Sequence, residues 1–305
     1  MLRTLLAGIL ALSALRGADV VAHPFAGITT IARTETVPRE LSIHVVEIDL
    51  TAPGIAFKLT PPGGALETIR QTTIEFLKQE HAQIAINAHY FLPFPSPKPE
   101  ADLVGLAASN GTVYSGCETP AQSYAIVDHA PAINIDRANH AAIVHCDAGA
   151  PDGKHVRENV SLWNTVAGSA QIITNGMKTI PAYGAELTAG GPRNYSAANS
   201  WYDALQARTV IGLSRDSTVL YLFTVDRAGG SRGMTVGEAA DLAIRDYHVY
   251  NALNLDGGGS TSLAMEDPAT HAAVMVNRSS DNPNGRSVGS SLAVFARPFA
   301  PLPRP

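Results

Sequence analysis

The chain is poor in the residues that mark several large protein classes. Of its 305 residues only 16% are charged and 6% aromatic, and it has 2 cysteines and 2 tryptophans. Lys and Arg number 22 against 27 Asp and Glu and form no block, so the basic surplus that phosphate-backbone binding requires is missing and nucleic acid is not an expected partner. After residue 22 no apolar run approaches the length of a bilayer span, which excludes a transmembrane helix from the mature chain. Cys117 and Cys146 form no C-x-x-C motif, and the 10 histidines show no H-E-x-x-H spacing, so neither a zinc site nor dithiol redox chemistry is expected. No cofactor is implied; a structural Ca²⁺ in the turn-rich loop Asp281 to Arg286 stays open.

What is present is 45% hydrophobic residues with 26 Gly and 20 Pro, the composition of a folded, loop-rich globular protein. Residues 1–22 read as a secretory leader: a basic start at Met1-Leu2-Arg3, an apolar run from Leu5 to Leu15, and Val20-Val21-Ala22 before a cleavage site. A secreted or periplasmic location follows. In that compartment an even cysteine count predicts one disulfide between Cys117 and Cys146, two buried thiols being the alternative.

The pattern along the chain predicts an α+β fold, mostly strands in a mixed sheet with two main helices, as a single compact domain over residues 23–297 with a Pro-rich tail at 298–305. Strands are expected at Leu41–Leu50, Ile55–Thr60, Ile84–Ile86, Val104–Ala108, Tyr124–Val127, Ala132–Ile135, Ala141–Cys146, Thr209–Leu213, Thr218–Val225 and Asn251–Leu255. Asn110-Gly111 and Asn175-Gly176 are hairpin turns. One helix is expected over residues 67–80. A second is announced by Thr235 with Glu238 three residues on, a capping box leading into the apolar stripe Val236, Ala239, Ala240, Ala243, Ile244 and Tyr247. Phe91 to Pro99 has four prolines in seven positions and must be an exposed loop. Residues 182–206, rich in Gly, Ala, Ser, Asn and Tyr, suggest a long loop near the site.

The segment most loaded with chemistry is Asn254-Leu255-Asp256-Gly257-Gly258-Gly259-Ser260. Glycines there permit positive φ or close backbone approach, and their N–H groups, with the hydroxyls of Ser260 and Thr261, offer a cradle for an anion. Asn254 and Asp256, two apart on a strand, should face the same way. The segment fails as a P-loop, a nucleophile elbow and a dinucleotide fingerprint. A second cluster, Asp226 to Thr235, places Arg227, Ser231 and Arg232 between a strand end and a helix N-terminus. Asn87 and His89 end an apolar strand. His89 reads either as an acid/base near neutral pH or as a histidine bonded to backbone.

Ala207-Arg208-Thr209-Val210-Ile211-Gly212, the Val225-Asp226 stretch with Ser231-Arg232-Gly233-Met234-Thr235, Asn254 through Ser260, and Arg286-Ser287-Val288 occur in this order. Together they resemble the phosphodiester glycosidase family over residues 80–296, most specifically 207–262. Asn87-Ala88-His89-Tyr90-Phe91 matches that family's Asn-Gly-Gly-Phe-Phe, and Asp226-Arg227-Ala228 stands at its Asp-Gly-Arg; both departures bear on the substrate more than on the reaction. The resemblance implies hydrolysis of a sugar-1-phosphodiester, with a carbohydrate or sugar-phosphate partner. Arg208, Arg232 and Arg286 would hold the phosphate with the N–H groups of Gly257, Gly258 and Gly259. Asn87, His89, Thr209, Ser231 and Ser260 would line the site. Asp256 is the first candidate for the catalytic carboxylate and Asp226 the second, with Asn254 beside them. Two other readings keep the same pocket: a non-catalytic glycan- or envelope-binding module using aromatics such as Tyr90, Tyr195 and Trp201, and a glycosidase for uncharged cell-wall glycans.

Overall fold

The computed structural model describes residues 19–117, 129–147, 149–180 and 202–299. The expected strand Tyr124–Val127, the aromatics Tyr195 and Trp201, residues 1–18 of the leader and residues 300–305 of the tail lie outside them.

Alternation along the strands builds two layers of sheet. In strand Leu41–Asp49, Ile43 and Val45 face one side while Val46 and Ile48 face the other, and all four are buried. This strand belongs to an eight-stranded sheet ordered Val20–Phe25, Ile28–Glu35, Leu41–Asp49, Val219–Val225, Arg208–Leu213, Asn251–Asn254, Ala170–Thr174 and Met177–Lys178. Ile43, Val45, Val210 and Phe223 pack against helix α2, Val236–Tyr247. Val46, Ile48, Ile211 and Leu222 pack against a five-stranded sheet containing Ile84–Asn87, Ser291–Phe295 and Leu263–Glu266. The outer face of that second sheet is covered by helix α1, Thr73–Glu80, through Ile74, Phe76 and Leu77. The order of layers is therefore helix, sheet, sheet, helix. A third sheet, ordered Thr112–Ser115, Ala107–Ser109, Asn164–Ala167, Ala132–Ile135 and Ala141–Val144, adds Ile133, Ile135 and Val166 to the central core.

The fold is a mostly-β α+β arrangement, but the sheet is not mixed: every strand pairing among the described residues is antiparallel. The reason is where the crossover lands. Strand Val219–Val225, α2 and strand Asn251–Asn254 make a crossover between two strands of like direction, and strand Arg208–Leu213 lies between them and pairs antiparallel with both.

Both helices begin at a capping box. Thr235 accepts from the Glu238 N–H, and Glu238 accepts from the Thr235 N–H in return, as the spacing predicts. For α1 the box is Thr72 with Glu75, which starts the helix later than expected. Residues Thr68–Ile69 and Gln71–Thr72 form short strands instead, because the Thr68 hydroxyl is drawn to the carbonyls of Ala101 and Gly289. Cys117 and Cys146 are disulfide-bonded, with Cα atoms 5.9 Å apart. Strand Val20–Phe25 takes in Val20, Val21 and Ala22, which pair with Ala32, Ile31 and Thr30; cleavage after Ala22 would remove half of that strand. No helix of the described residues is long and apolar enough to cross a membrane.

Candidate active site

The site forms where one strand end from each of the two main sheets meets the other. Strand Ile84–Asn87 ends at Asn87, and strand Asn251–Asn254 runs out toward Asp256. Asn87 joins them: its Nδ2 donates to the Asp256 carbonyl at 2.7 Å, and its Oδ1 accepts from the Thr209 hydroxyl at 2.9 Å and the Ser262 N–H at 3.0 Å. The Asp256 N–H in turn donates to the Ala88 carbonyl at 3.2 Å. Asn87 and Thr209 are fully buried. They fix the loop that carries Asp256 rather than lining an open surface.

Asp256 itself is 9% exposed. Its carboxyl is bonded by the Ser260 hydroxyl and the Gly257 N–H and faces the Arg286 guanidinium. Burial pushes its pKa up to about 7, against the opposing pull of Ser260, Arg286 and Gly257. A carboxyl group that changes charge near neutral pH, beside a fixed cation, has the properties of an acid/base catalyst.

The glycines explain how Arg286 reaches this place. Gly258 has φ +60°, and a Cβ on Gly259 would collide with the Arg286 guanidinium. Gly258–Ser260 forms one 3₁₀ turn under the arginine, whose Nη1 lies 3.4 Å from the Ser260 Oγ. Arg286 is held in turn by Asp281 at 2.7 Å from its Nε and by the Phe94 ring, 4.6 Å from centroid to guanidinium. The Asp281 carboxylate is thus engaged by Arg286, and among the described residues no group of three His, Cys, Asp or Glu side chains is placed to hold a metal ion.

Of the three loop N–H groups expected to meet an anion, Gly258 is unsuitable, because its N–H donates to the Ala207 carbonyl at 2.8 Å. That bond continues the ladder past the end of the strand and anchors the loop. Gly257 has its N–H on the Asp256 carboxylate.

Asn254 sits on the other side of the loop. Its Nδ2 donates to the Ser169 hydroxyl at 2.8 Å and the Tyr90 hydroxyl at 3.2 Å, while its buried Oδ1 has no hydrogen-bond partner among the described residues. Tyr202 donates to the same Ser169 hydroxyl at 3.0 Å. Neither Ser169 nor Tyr202 carries a local sequence signal, and both were missed by the sequence reading; they belong to the site only because the chain brings them against Asn254. Arg208, opposite Val225 and two residues from the Asn254 partner Val210, shares this face. It is 1% exposed, and its Nε donates to the Met234 carbonyl at 2.8 Å and its Nη2 to the Ala204 carbonyl. These bonds make it a brace for the loops flanking α2.

The remaining expected residues are placed elsewhere. His89 is fully buried: its Nδ1 bonds the Ser290 hydroxyl at 2.9 Å, and its Nε2 lies 3.1 Å from the Leu106 carbonyl and 2.9 Å from the Ala167 N–H. Burial pushes its pKa down to about 4, so it is a neutral structural histidine joining three segments and not a substrate contact. Asp226 lies on the opposite face of the sheet from Asn254, as the register of Val225 with Arg208 requires. Its Oδ2 accepts from the Arg278 N–H at 3.2 Å and faces His44 Nε2 at 3.3 Å, while its buried Oδ1 has no hydrogen-bond partner among the described residues. The Ser231 hydroxyl donates to the Asp226 carbonyl at 2.6 Å and accepts from the Ser42 N–H, which closes a turn. Arg232 is exposed, and its side chain makes none of the site's contacts.

Comparison with known proteins bears on the fold and the family. The zebrafish N-acetylglucosamine-1-phosphodiester alpha-N-acetylglucosaminidase catalytic domain, in a structure auto-inhibited by its pro-peptide, superposes with a TM-score of 0.60 at 18% identity, covering 93% of this chain and 89% of that one. A hypothetical protein from Synechocystis gives 0.61 at 16% identity, covering 89% of this chain and 62% of that one. The superpositions show a shared fold. In sequence, 67 residues are 34% identical to the mouse N-acetylglucosamine-1-phosphodiester alpha-N-acetylglucosaminidase, spanning 22% of this chain and 13% of that enzyme. The phosphodiester glycosidase family model matches residues 80–295, from the approach to Asn87 through the last strand of the second sheet. The chain belongs to the phosphodiester glycosidase family.

Proposed function

We propose that the protein is a secreted or periplasmic hydrolase that cleaves the glycosidic bond of a sugar-1-phosphodiester. The observation that carries this reading is the pairing of a buried carboxyl, titrating near pH 7, with a guanidinium held against a glycine loop: Asp256 and Arg286. In the reaction, Asp256 as the carboxylate takes a proton from water, the water oxygen bonds to the anomeric carbon, and the bond from that carbon to the phosphate oxygen breaks. The electron pair stays on the phosphate, which leaves as a monoester. Arg286 places positive charge where this phosphate gains negative charge, the kind of contact that contributes most to such rates. A phosphate monoester leaves without a strong general acid, so one titrating carboxyl suffices. Asn254 Oδ1, beside Tyr90 and without a hydrogen-bond partner among the described residues, is the acceptor proposed for a sugar hydroxyl. The leader-like residues 1–22 and the disulfide support an oxidising compartment.

The test is turnover of a panel of sugar-1-phosphodiesters beside p-nitrophenyl glycosides of the same sugars. Hydrolysis of the phosphodiesters with little action on the neutral glycosides is expected. Preference for the neutral glycosides would assign the site to uncharged glycans, and saturable binding with no turnover of either would make it a binding module.

A further inference from the structure

Arg286 borders a second space. An open groove of about 570 Å³ is lined by Arg70, Phe94, Lys98, Asp281 and Arg286, with the prolines of the 93–99 loop as its wall. That volume is in the range of small-molecule sites. Asp256 and Ser260 do not line it. Arg286 is the residue common to groove and site, so a phosphate seated on Arg286 would direct its sugar toward Asp256 and its other ester arm into the groove.

The wall is built rather than loose. Arg70 Nε donates to the Glu100 carbonyl at 2.9 Å, Nη1 to Ser96 at 3.4 Å and Nη2 to Pro93 at 2.6 Å, so one guanidinium fixes the whole proline loop. The same guanidinium lies over the Phe91 ring at 4.9 Å, Phe91 meets Phe94 edge-to-face at 5.8 Å, and Phe94 carries Arg286 at 4.6 Å. This alternation of cation and ring keeps Phe94 in place while leaving it 46% exposed. Arg70 has its donors on carbonyls and Arg286 has its Nε on Asp281, so the donors left to a ligand are the Arg286 Nη groups and the Lys98 ammonium. Lys98 is exposed, and its ammonium has no partner among the described residues. Among the described residues the one carboxylate lining the groove, Asp281, is already bonded to Arg286.

We propose that this groove seats the ester arm of the substrate, and that the arm is a sugar ring bearing a second anionic group: the ring against Phe94, the anion met by Lys98. The inference rests on Arg286 as the phosphate seat. Phe94 offers a ring a face to stack on, and an unpaired ammonium in a groove with no free carboxylate favours a negative partner.

The test uses the product side and needs no turnover. Isothermal titration of the full-length protein with methyl phosphate, glucose 6-phosphate and glucose 1,6-bisphosphate separates the phosphate seat, the ring and the second anion. In low-salt buffer the bisphosphate should bind about five- to tenfold more tightly than glucose 6-phosphate, an advantage that shrinks as salt rises and that collapses in Lys98→Gln and reverses in Lys98→Glu. Equal affinities in the parent protein, or an advantage that survives both Lys98 variants, would overturn the proposal while leaving the phosphate seat intact. If none of the three ligands binds, or if Arg286→Ala binds all of them as the parent does, the phosphate seat itself is wrong and the groove assignment falls with it.

Discussion

The side-chain amide of Asn87 donates to the main-chain carbonyl of Asp256 at 2.7 Å, across a sequence separation of 169. This bond ties the second sheet to the loop that bears the titrating carboxyl, and the Asn87 Oδ1 extends the tie to Thr209 and Ser262. Replacing Asn87 with Leu leaves three buried polar groups without their partner. Stability should fall by roughly 2–4 kcal/mol in urea unfolding, and the folded fraction should lose turnover because the loop is no longer fixed. Asn87→Asp should lose less stability, since it keeps the acceptor side.

Arg286 is expected to act through its fork and its stack as well as its charge. Arg286→Ala should lower kcat/KM on a sugar-1-phosphodiester by about 10²–10³, the range seen when one stabilising donor is removed. Arg286→Lys keeps the charge but loses the planar contact with Phe94 and the paired donors, and should recover only part of that loss. Steady-state kinetics on one phosphodiester and one neutral glycoside separates the two effects, because only the phosphodiester rate should depend on this residue.

His89 should shape the acid limb of stability. Its folded pKa of about 4 lies below the ordinary histidine value of 6.5, so the unfolded chain binds the extra proton first. Stability is fully present above about pH 6.5 and falls as the pH drops toward 4, by about 3 kcal/mol from this group. Urea midpoints taken from pH 7 to 4 on the parent and on His89→Gln should show a shallower decline in the variant; identical slopes would contradict the assignment.

Asp256 has the opposite sign. Its folded pKa of about 7 lies above the ordinary value of 3.8, so the folded protein holds its proton longer and loses stability as pH rises from about 4 to 7. Asp256→Asn should therefore be more stable than the parent at pH 8, with the advantage fading toward pH 4. Thermal unfolding of both proteins at the two pH values reads this directly.

How much of this was legible beforehand divides along local and distant causes. Strand Ala132–Ile135 and the start of α2 follow from alternation and from Thr235 with Glu238, interactions within a few residues. The glycine loop with Asp256 could be picked out because close backbone approach leaves glycines in the sequence, whereas Arg286 comes only from the resemblance to the family. Where the outcome depended on partners far along the chain, the sequence was silent or misleading. Residues 67–72 leave the helical pattern for bonds to Ala101 and Gly289. The sequence leaves His89 open between an acid/base and a histidine bonded to backbone, and the distant Ser290, Leu106 and Ala167 segments decide for the second. Asp226 and Asn254 both close apolar strands, and only the register of the strand between them puts them on different faces. Ser169 has no marker at all; it matters because Asn254 meets it.

The most direct measurement is the pH dependence of kcat/KM for hydrolysis of a sugar-1-phosphodiester by the parent protein and by Asp256→Asn. The parent should rise to a plateau through an inflection near pH 7, the value burial imposes on the Asp256 carboxyl. The variant, folded and still able to bind phosphate, should be slower by about 10²–10⁴ and lack that inflection. A folded Asp256→Asn protein with near-normal kcat, or one that keeps the same inflection, would contradict the catalytic role of Asp256.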